Sequence, residues 1–325
     1  MIRAPTQEGT IAAARAISMI LRMTPLLPVT IRGTECFVKA ENLQPIGAFK
    51  IRGAWWRLSN LSPAQKRAGV VAVSSGNHAQ GVAWAARRLG ITATIVMPRD
   101  APKVKLDNTR ELGADVVLYD RPGEDRDEVA ADLIAQYKGA AKPTLVHAFG
   151  DPWVIEGQGS AGIELAQQIA GGPTRILACC GGGGLAAGLA LACPDAAIHV
   201  VEPEGWDMVG QALATGAIVK AADDAPRTIC DALQPTATKP INLDVLKGRA
   251  QAGITVTDDE VRDAQRWAFA HLRMVIEPGG AAALAAALAG KVSLDERSVI
   301  VLTGGNADPS AFAQTIAGET IAANA

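Results

Sequence analysis

The sequence predicts an α/β protein built on mostly parallel sheets, and two observations carry that prediction. Short Val/Ile-rich runs recur along the chain, nearly continuous in apolar character, as strands covered by helices on both faces should be. Between them lie stretches of helical periodicity, such as 79–89 and 162–170, which end at Gly90 and Gly171. Alternation of the two kinds is the pattern of an α/β fold.

Taken in order, the candidate strands are 70–73, 93–97, 115–119, 144–147, 175–178, 197–201 and 298–302. Three βα units between about 70 and 147 form a compact block, in which Arg121-Pro122-Gly123-Glu124-Asp125 reads as an exposed loop. At 325 residues the chain is long for one core, so two lobes are expected. The smaller spans 56–147, and 1–55 joins 148–325 in the larger. There are no internal repeats, low-complexity linkers or heptads.

Composition narrows the function classes. Hydrophobic residues make up 49% of the chain, and mean hydropathy is +0.15, ample for a buried interior. The 31 basic and 33 acidic residues form no long run of one sign, which argues against nucleic acid or anionic lipid and for a small-molecule ligand. Cys36, Cys179, Cys180, Cys193 and Cys230 show no CxxC pair and no histidine at zinc spacing. Such an odd, scattered set suits a reducing compartment. Arg15 and Arg22 interrupt the apolar stretch at 17–21, so no secretory signal is read. The longest apolar run, 279–290, is too short to cross a bilayer. A cytoplasmic protein is expected.

Four segments carry candidate chemistry. In Gly47-Ala48-Phe49-Lys50-Ile51-Arg52-Gly53-Ala54, Lys50 stands at the mouth of a helix among small residues. It reads either as a solvated surface side chain or as a Schiff-base lysine, its ammonium pKa lowered by burial and the helix N-terminus. In Ser74-Ser75-Gly76-Asn77-His78-Ala79-Gln80-Gly81, small polar residues follow a strand and open a helix, suited to a carboxylate. The alternative is an ordinary cap by Ser75 or Asn77. In Gly181-Gly182-Gly183-Gly184-Leu185-Ala186-Ala187-Gly188, four consecutive glycines let the backbone wrap an anion such as a phosphate. No Gly-Lys-Ser/Thr follows, so this is not a Walker A loop, nor is it a dinucleotide fingerprint. Finally, Leu302-Thr303-Gly304-Gly305-Asn306 closes a strand with a hydroxyl that could meet a heterocyclic nitrogen.

In this order the segments resemble the fold type II pyridoxal-phosphate enzymes, specifically the threonine/serine dehydratase and serine racemase group. The resemblance runs from Thr24-Pro25-Leu26 to Asn306 and includes Gly157-Gln158-Gly159-Ser160, Val201-Glu202-Pro203 and Ile276-Glu277-Pro278-Gly279-Gly280-Ala281. It implies a tryptophan synthase β-like fold, two open, mostly parallel twisted sheets flanked by helices, with the active site between two domains. It also implies pyridoxal 5′-phosphate as cofactor, a small amino acid as substrate, and a homodimer or homotetramer. Position by position, Lys50 would carry the cofactor and later act as base at the substrate Cα, with Phe49 beside it. Asn77 would bond the cofactor's phenolic oxygen. Ser75, Asn77 and His78 would hold the substrate carboxylate. Gly181, Gly182, Gly183, Gly184 and Leu185 would cradle the phosphate, and Thr303 would face the pyridine nitrogen.

The implied reaction is dehydration of L-threonine or L-serine to a 2-oxo acid and ammonia, with racemisation or a substrate such as 3-hydroxyaspartate as alternatives. Ser75 allows racemisation, because a serine matching it in racemases protonates Cα from the face opposite the lysine. Phe149 favours dehydration, since racemases of the group tend to carry Asn there. Two departures stand out. The group's Mg²⁺ or Ca²⁺ site would fall on Glu202, the Trp206 carbonyl and Met208, and a thioether is a poor ligand for a hard cation. No tightly bound divalent cation is therefore expected. The sequence also ends about twenty residues after Asn306, so the regulatory domain of biosynthetic threonine dehydratases, and with it control by isoleucine, is not expected. Trp55, Trp56, Trp153 and Trp206 read as core or interface.

Overall fold

A computed structural model describes residues 3–101, 103–120 and 123–318. Its strands in chain order are β1 Leu26–Ile31, β2 Thr34–Ala40, β3 Val70–Val73, β4 Ala93–Pro98, β5 Asp115–Tyr119, β6 Thr144–Leu145, β7 Arg175–Cys179, β8 Ala197–Pro203, β9 Ile254–Val256 and β10 Ser298–Leu302. They form a six-stranded sheet in the order β1-β2-β10-β7-β8-β9 and a four-stranded sheet in the order β5-β4-β3-β6. Every pairing is parallel except β1 with β2. The class is the α/β class expected, and β10, buried at all five positions, shows why its apolar run is unbroken.

Each apolar run forms a strand, but 144–147 is cut to two residues. Val146 still donates to the Val71 carbonyl. His147 then turns the chain, its Nδ1 accepting the amides of Phe149 (3.2 Å) and Gly150 (2.8 Å). Three strands carry no clear sequence signal. β1 and β2 are an edge hairpin whose Pro28, Thr30, Glu35 and Lys39 interrupt apolar continuity. Arg32 (φ 51°) and Gly33 (φ 80°) close it, a two-residue turn with positive φ at both places and no Asn-Gly or Asp-Gly to announce it. β9 has only three residues. The helix read at 162–170 belongs to the longer helix Pro152–Gln168, which stops before an extended Ile169, so Gly171 lies beyond its end. Arg121 and Pro122 of the expected loop lie outside the described residues; Gly123, Glu124 and Asp125 are exposed.

Close glycine contacts fix the helices that matter most. A Cβ on Gly157 would lie 2.6 Å from the Gly53 Cα, and one on Gly159 would lie 2.6 Å from the Gly188 carbonyl. Helices Lys50–Ser59 and Gly184–Ala192 therefore pack tightly on Pro152–Gln168, which explains the small residues of its Gly157-Gln158-Gly159-Ser160 segment. One turn into helix Lys50–Ser59, the fully buried Arg52 bonds Glu41 through Nε and Nη2, both at 2.7 Å, and Glu164 through Nη1 at 2.7 Å. Lys39 Nζ joins Glu164 (2.5 Å), Gln168 (2.8 Å) and the Thr24 carbonyl (3.0 Å).

Candidate active site

The chain leaves β3, β6, β7 and β10 at their carboxyl ends into one cavity of about 290 Å³, the usual place for a ligand in parallel sheets. Lys50, Ser75, Asn77, His78, Gly181 to Leu185, and Thr303 all line it. So do Phe49 and Phe149, whereas Trp55, Trp56, Trp153 and Trp206 do not.

Lys50 is the first residue of its helix, whose N-cap, Phe49, supplies no side-chain cap. Its Nζ donates to the Ala148 carbonyl at 3.0 Å and lies 4.9 Å from the Phe49 ring centre. Burial without a carboxylate partner lowers its pKa from 10.5 to about 8. At pH 7 about a tenth of such amines are neutral, against roughly one in three thousand for an ordinary lysine. That is a nucleophile at neutral pH.

The glycine loop faces it. Gly183 is left-handed (φ 90°) and caps helix Gly184–Ala192 without a side chain, so the first amides of that helix remain free. A Cβ on Gly182 would lie 2.3 Å from the Phe149 ring, so only glycine fits there. Thr238 Oγ1 (2.8 Å) and Asn242 Nδ2 (2.7 Å) both donate to the Gly182 carbonyl and hold it away from an anion at the loop. Neither side chain carries a sequence signal for this task.

After β3, neither Ser75 nor Asn77 caps helix Asn77–Leu89; Gly76 is its N-cap, with no side-chain bond. The simple-cap reading therefore fails, and the first amides of this helix also stay open. Ser75 has no side-chain hydrogen bond among the described residues. Asn77 Oδ1 accepts from Asn306 Nδ2 (2.8 Å), and Asn77 Nδ2 donates to Glu277 Oε1 (2.5 Å). His78 differs from its expected role: buried, its Nε2 donates to the Val146 carbonyl at 2.9 Å, and Nδ1 is unpartnered. Burial and the nearby Lys50 push its pKa down to about 3. A neutral ring with its one N–H engaged has no donor for a carboxylate, so His78 can offer only its backbone amide. The Thr303 hydroxyl lies against the Cys179 thiol, and its carbonyl accepts the Phe49 amide at 3.1 Å.

Several lining residues escaped the sequence reading. Glu277 is buried beside Asn77, and burial followed by the charge of Asp231 raises its pKa to about 7. His147, whose Nδ1 accepts two backbone amides, is held near pKa 4 by burial and then by Lys239. Lys105, Arg126 and Lys239 bring positive charge to the wall; Lys105 pairs with Asp231 at 2.5 Å. Glu277 and His147 lay in segments that the sequence singles out, but neither was read as a site residue.

Glu202 lies elsewhere, its two oxygens accepting the Val209 (2.9 Å) and Gly210 (2.8 Å) amides, with burial raising its pKa to about 8. Met208 is buried beside it. Among the described residues no cluster of three His, Cys, Asp or Glu side chains could hold a metal ion. The five cysteines are free and buried, and no described helix is long and apolar enough to cross a membrane.

A reactive amine opposite an uncapped, glycine-lined helix N-terminus fits a phosphate-bearing aldehyde. The pyridoxal-phosphate dependent enzyme family model matches residues 17–304. This chain belongs to that family. Pyridoxal 5′-phosphate is its cofactor. The chain is 40% identical to an L-threo-3-hydroxyaspartate ammonia-lyase of a Pseudomonas species over 291 residues, 88% of this chain and 89% of the relative. It is 37% identical to a serine racemase of Schizosaccharomyces pombe over 319 residues, covering 95% and 96%. The crystal structure of a T.th. threonine deaminase superposes with a TM-score of 0.84 at 39% identity, covering 94% of this chain and 99% of that one. The family's fold type II architecture, expected from the motifs, is thus the one observed.

Proposed function

We propose that this chain removes water from a β-hydroxy amino acid with the help of pyridoxal phosphate, giving a 2-oxo acid and ammonia. The observation that carries this reading is Lys50, an amine lowered to about pKa 8 and facing the glycine loop across one cavity. Lys50 holds the cofactor with Phe49 beside it, Asn77 bonds the phenolic oxygen, Gly181 to Leu185 hold the phosphate, and Thr303 faces the pyridine nitrogen. The bound cofactor acts as an electron sink for the bond broken at Cα. The free Lys50 amine would take the Cα proton, and the β-hydroxyl would leave with that proton as water. Hydrolysis then returns one water and releases ammonia. The open amides after Gly76, with Ser75 and Asn77, hold the substrate carboxylate.

L-threonine and L-serine are the first substrates to test. A second reading, 3-hydroxyaspartate, is favoured by Arg126 and Lys239, which line the cavity with no ion-pair partner among the described residues and suit a second carboxylate. Ser75 at the cavity keeps racemisation as a side activity. The protein is proposed to be cytoplasmic and a homodimer or homotetramer. Exposed Met19, Ile20 and Met23, clustered after the first helix, support an oligomer.

Ammonia and 2-oxo acid release from L-threonine, L-serine and threo-3-hydroxyaspartate, with racemisation followed in parallel, tests these readings. Turnover that disappears in Lys50→Ala is expected. Arg126→Ala should lower kcat/KM for hydroxyaspartate about 10–100-fold more than for threonine if the second reading holds. Racemisation alone, without ammonia, would contradict the elimination.

A further inference from the structure

A side-chain relay runs from behind the cavity wall to Asn77 and Glu277, which line it, and its order of donors and acceptors can be deduced. Asn306 Nδ2 donates to the Ile46 carbonyl at 2.9 Å. A carbonyl only accepts, so the Asn306 atom facing it must be nitrogen. That same nitrogen lies 2.8 Å from Asn77, which must present its oxygen there. The Asn77 nitrogen is then left facing Glu277 Oε1 at 2.5 Å. One of its two hydrogens goes to that carboxylate oxygen, and the other is free for the cavity.

We propose that Asn306 is a positioning residue: it locks the Asn77 amide so that nitrogen, not oxygen, faces the cofactor's phenolic oxygen. The inference rests on the proposed pairing of Asn77 with that oxygen. An amide side chain alone turns over at little cost, and turned over it would set a carbonyl against an anionic oxygen. Asn306 cannot swing away easily. Its Oδ1 lies where a Cβ on Gly47 would come within 2.4 Å, and Gly47 has a left-handed φ of 71° that suits glycine. The Gly305 amide donates to the Gly47 carbonyl at 2.8 Å, so the lock is stitched to the segment that carries Lys50. One asparagine thus ties the orientation of Asn77 to the lysine's own loop.

Asn306→Asp keeps the shape and reverses the logic. A carboxylate cannot donate to Asn77 Oδ1, so the Asn77 amide turns its nitrogen toward the new acid and its oxygen toward the cavity and Glu277, which takes up a proton to meet it. Cofactor dissociation by equilibrium dialysis and the pH titration of the bound cofactor's visible band are the readouts. Asn306→Asp should weaken cofactor binding about 10–100-fold and raise the pKa of the band, because the oxyanion loses its donor. Asn306→Ala, which frees Asn77 without turning it, should weaken binding less than about tenfold. In an Asn77→Ala background, Asn306→Asp should add no further shift of the band.

A milder effect for the isosteric aspartate than for alanine, or a shift that persists without Asn77, would overturn the lock and leave a packing role. If the aspartate variant does not fold, Asn306→Ala and Asn77→Ala carry the test. Their losses overlap if one acts through the other, and independent multiplication contradicts the proposal. A wild-type protein with no cofactor on Lys50 would instead overturn the site reading itself.

Discussion

Lys50 and Arg52 sit two residues apart on one helix, and their surroundings are opposite. Arg52 is enclosed by Glu41 and Glu164, which raise its pKa, while Arg52 in return lowers that of Glu41. Every charge in that cluster has a partner, and it anchors the helix. On the cavity side, Lys50 meets a neutral carbonyl, and Glu277 meets a neutral amide. Burial outweighs the partners there, drawing the lysine down to about 8 and, with the charge of Asp231, the glutamate up to about 7. Buried charges that are paired are costly to break apart; charges held off their ordinary pKa are available for chemistry.

Breaking each side separately should sharpen the contrast. Lys50→Ala should cut turnover by at least about 10³-fold, with no loss of thermal stability in the cofactor-free protein. An ammonia assay and a melting curve check both halves. Arg52→Ala should destabilise the protein by about 3–5 kcal/mol in urea unfolding, because Glu41 is left buried and unpaired. The smallest effect is expected at Glu277. Its folded pKa lies above the ordinary 4.5, so the folded state holds the proton more tightly and stability falls as pH rises from about 4.5 through about 7. Glu277→Gln keeps an acceptor for Asn77 and removes that fall, worth up to about 3 kcal/mol at pH 8. Parallel pH–stability curves of the two cofactor-free proteins would show the lines converging at low pH.

What could be read from the sequence follows from the same contrast. Lys50, Ser75, Asn77, the four glycines and Thr303 each follow or precede an apolar run, so local pattern marks them. Glu277 and Asn306 act on Asn77 across 200 and 229 residues, a separation that no local pattern spans. Thr238 and Asn242 approach Gly182 from a segment without periodicity. Lys39 was hidden for another reason. A lysine in a strand argues for solvent, and only the fold shows Glu164 waiting for it. His78 was legible as a site residue but not in its orientation, which the Val146 carbonyl decides.

The most direct test of the account is chemical trapping of the cofactor. The purified holoenzyme is reduced with borohydride, digested and mapped by mass spectrometry. The account predicts a pyridoxyl-phosphate adduct on Lys50 and on no other lysine. An adduct on a different lysine, or none on a protein that carries the cofactor, would contradict it.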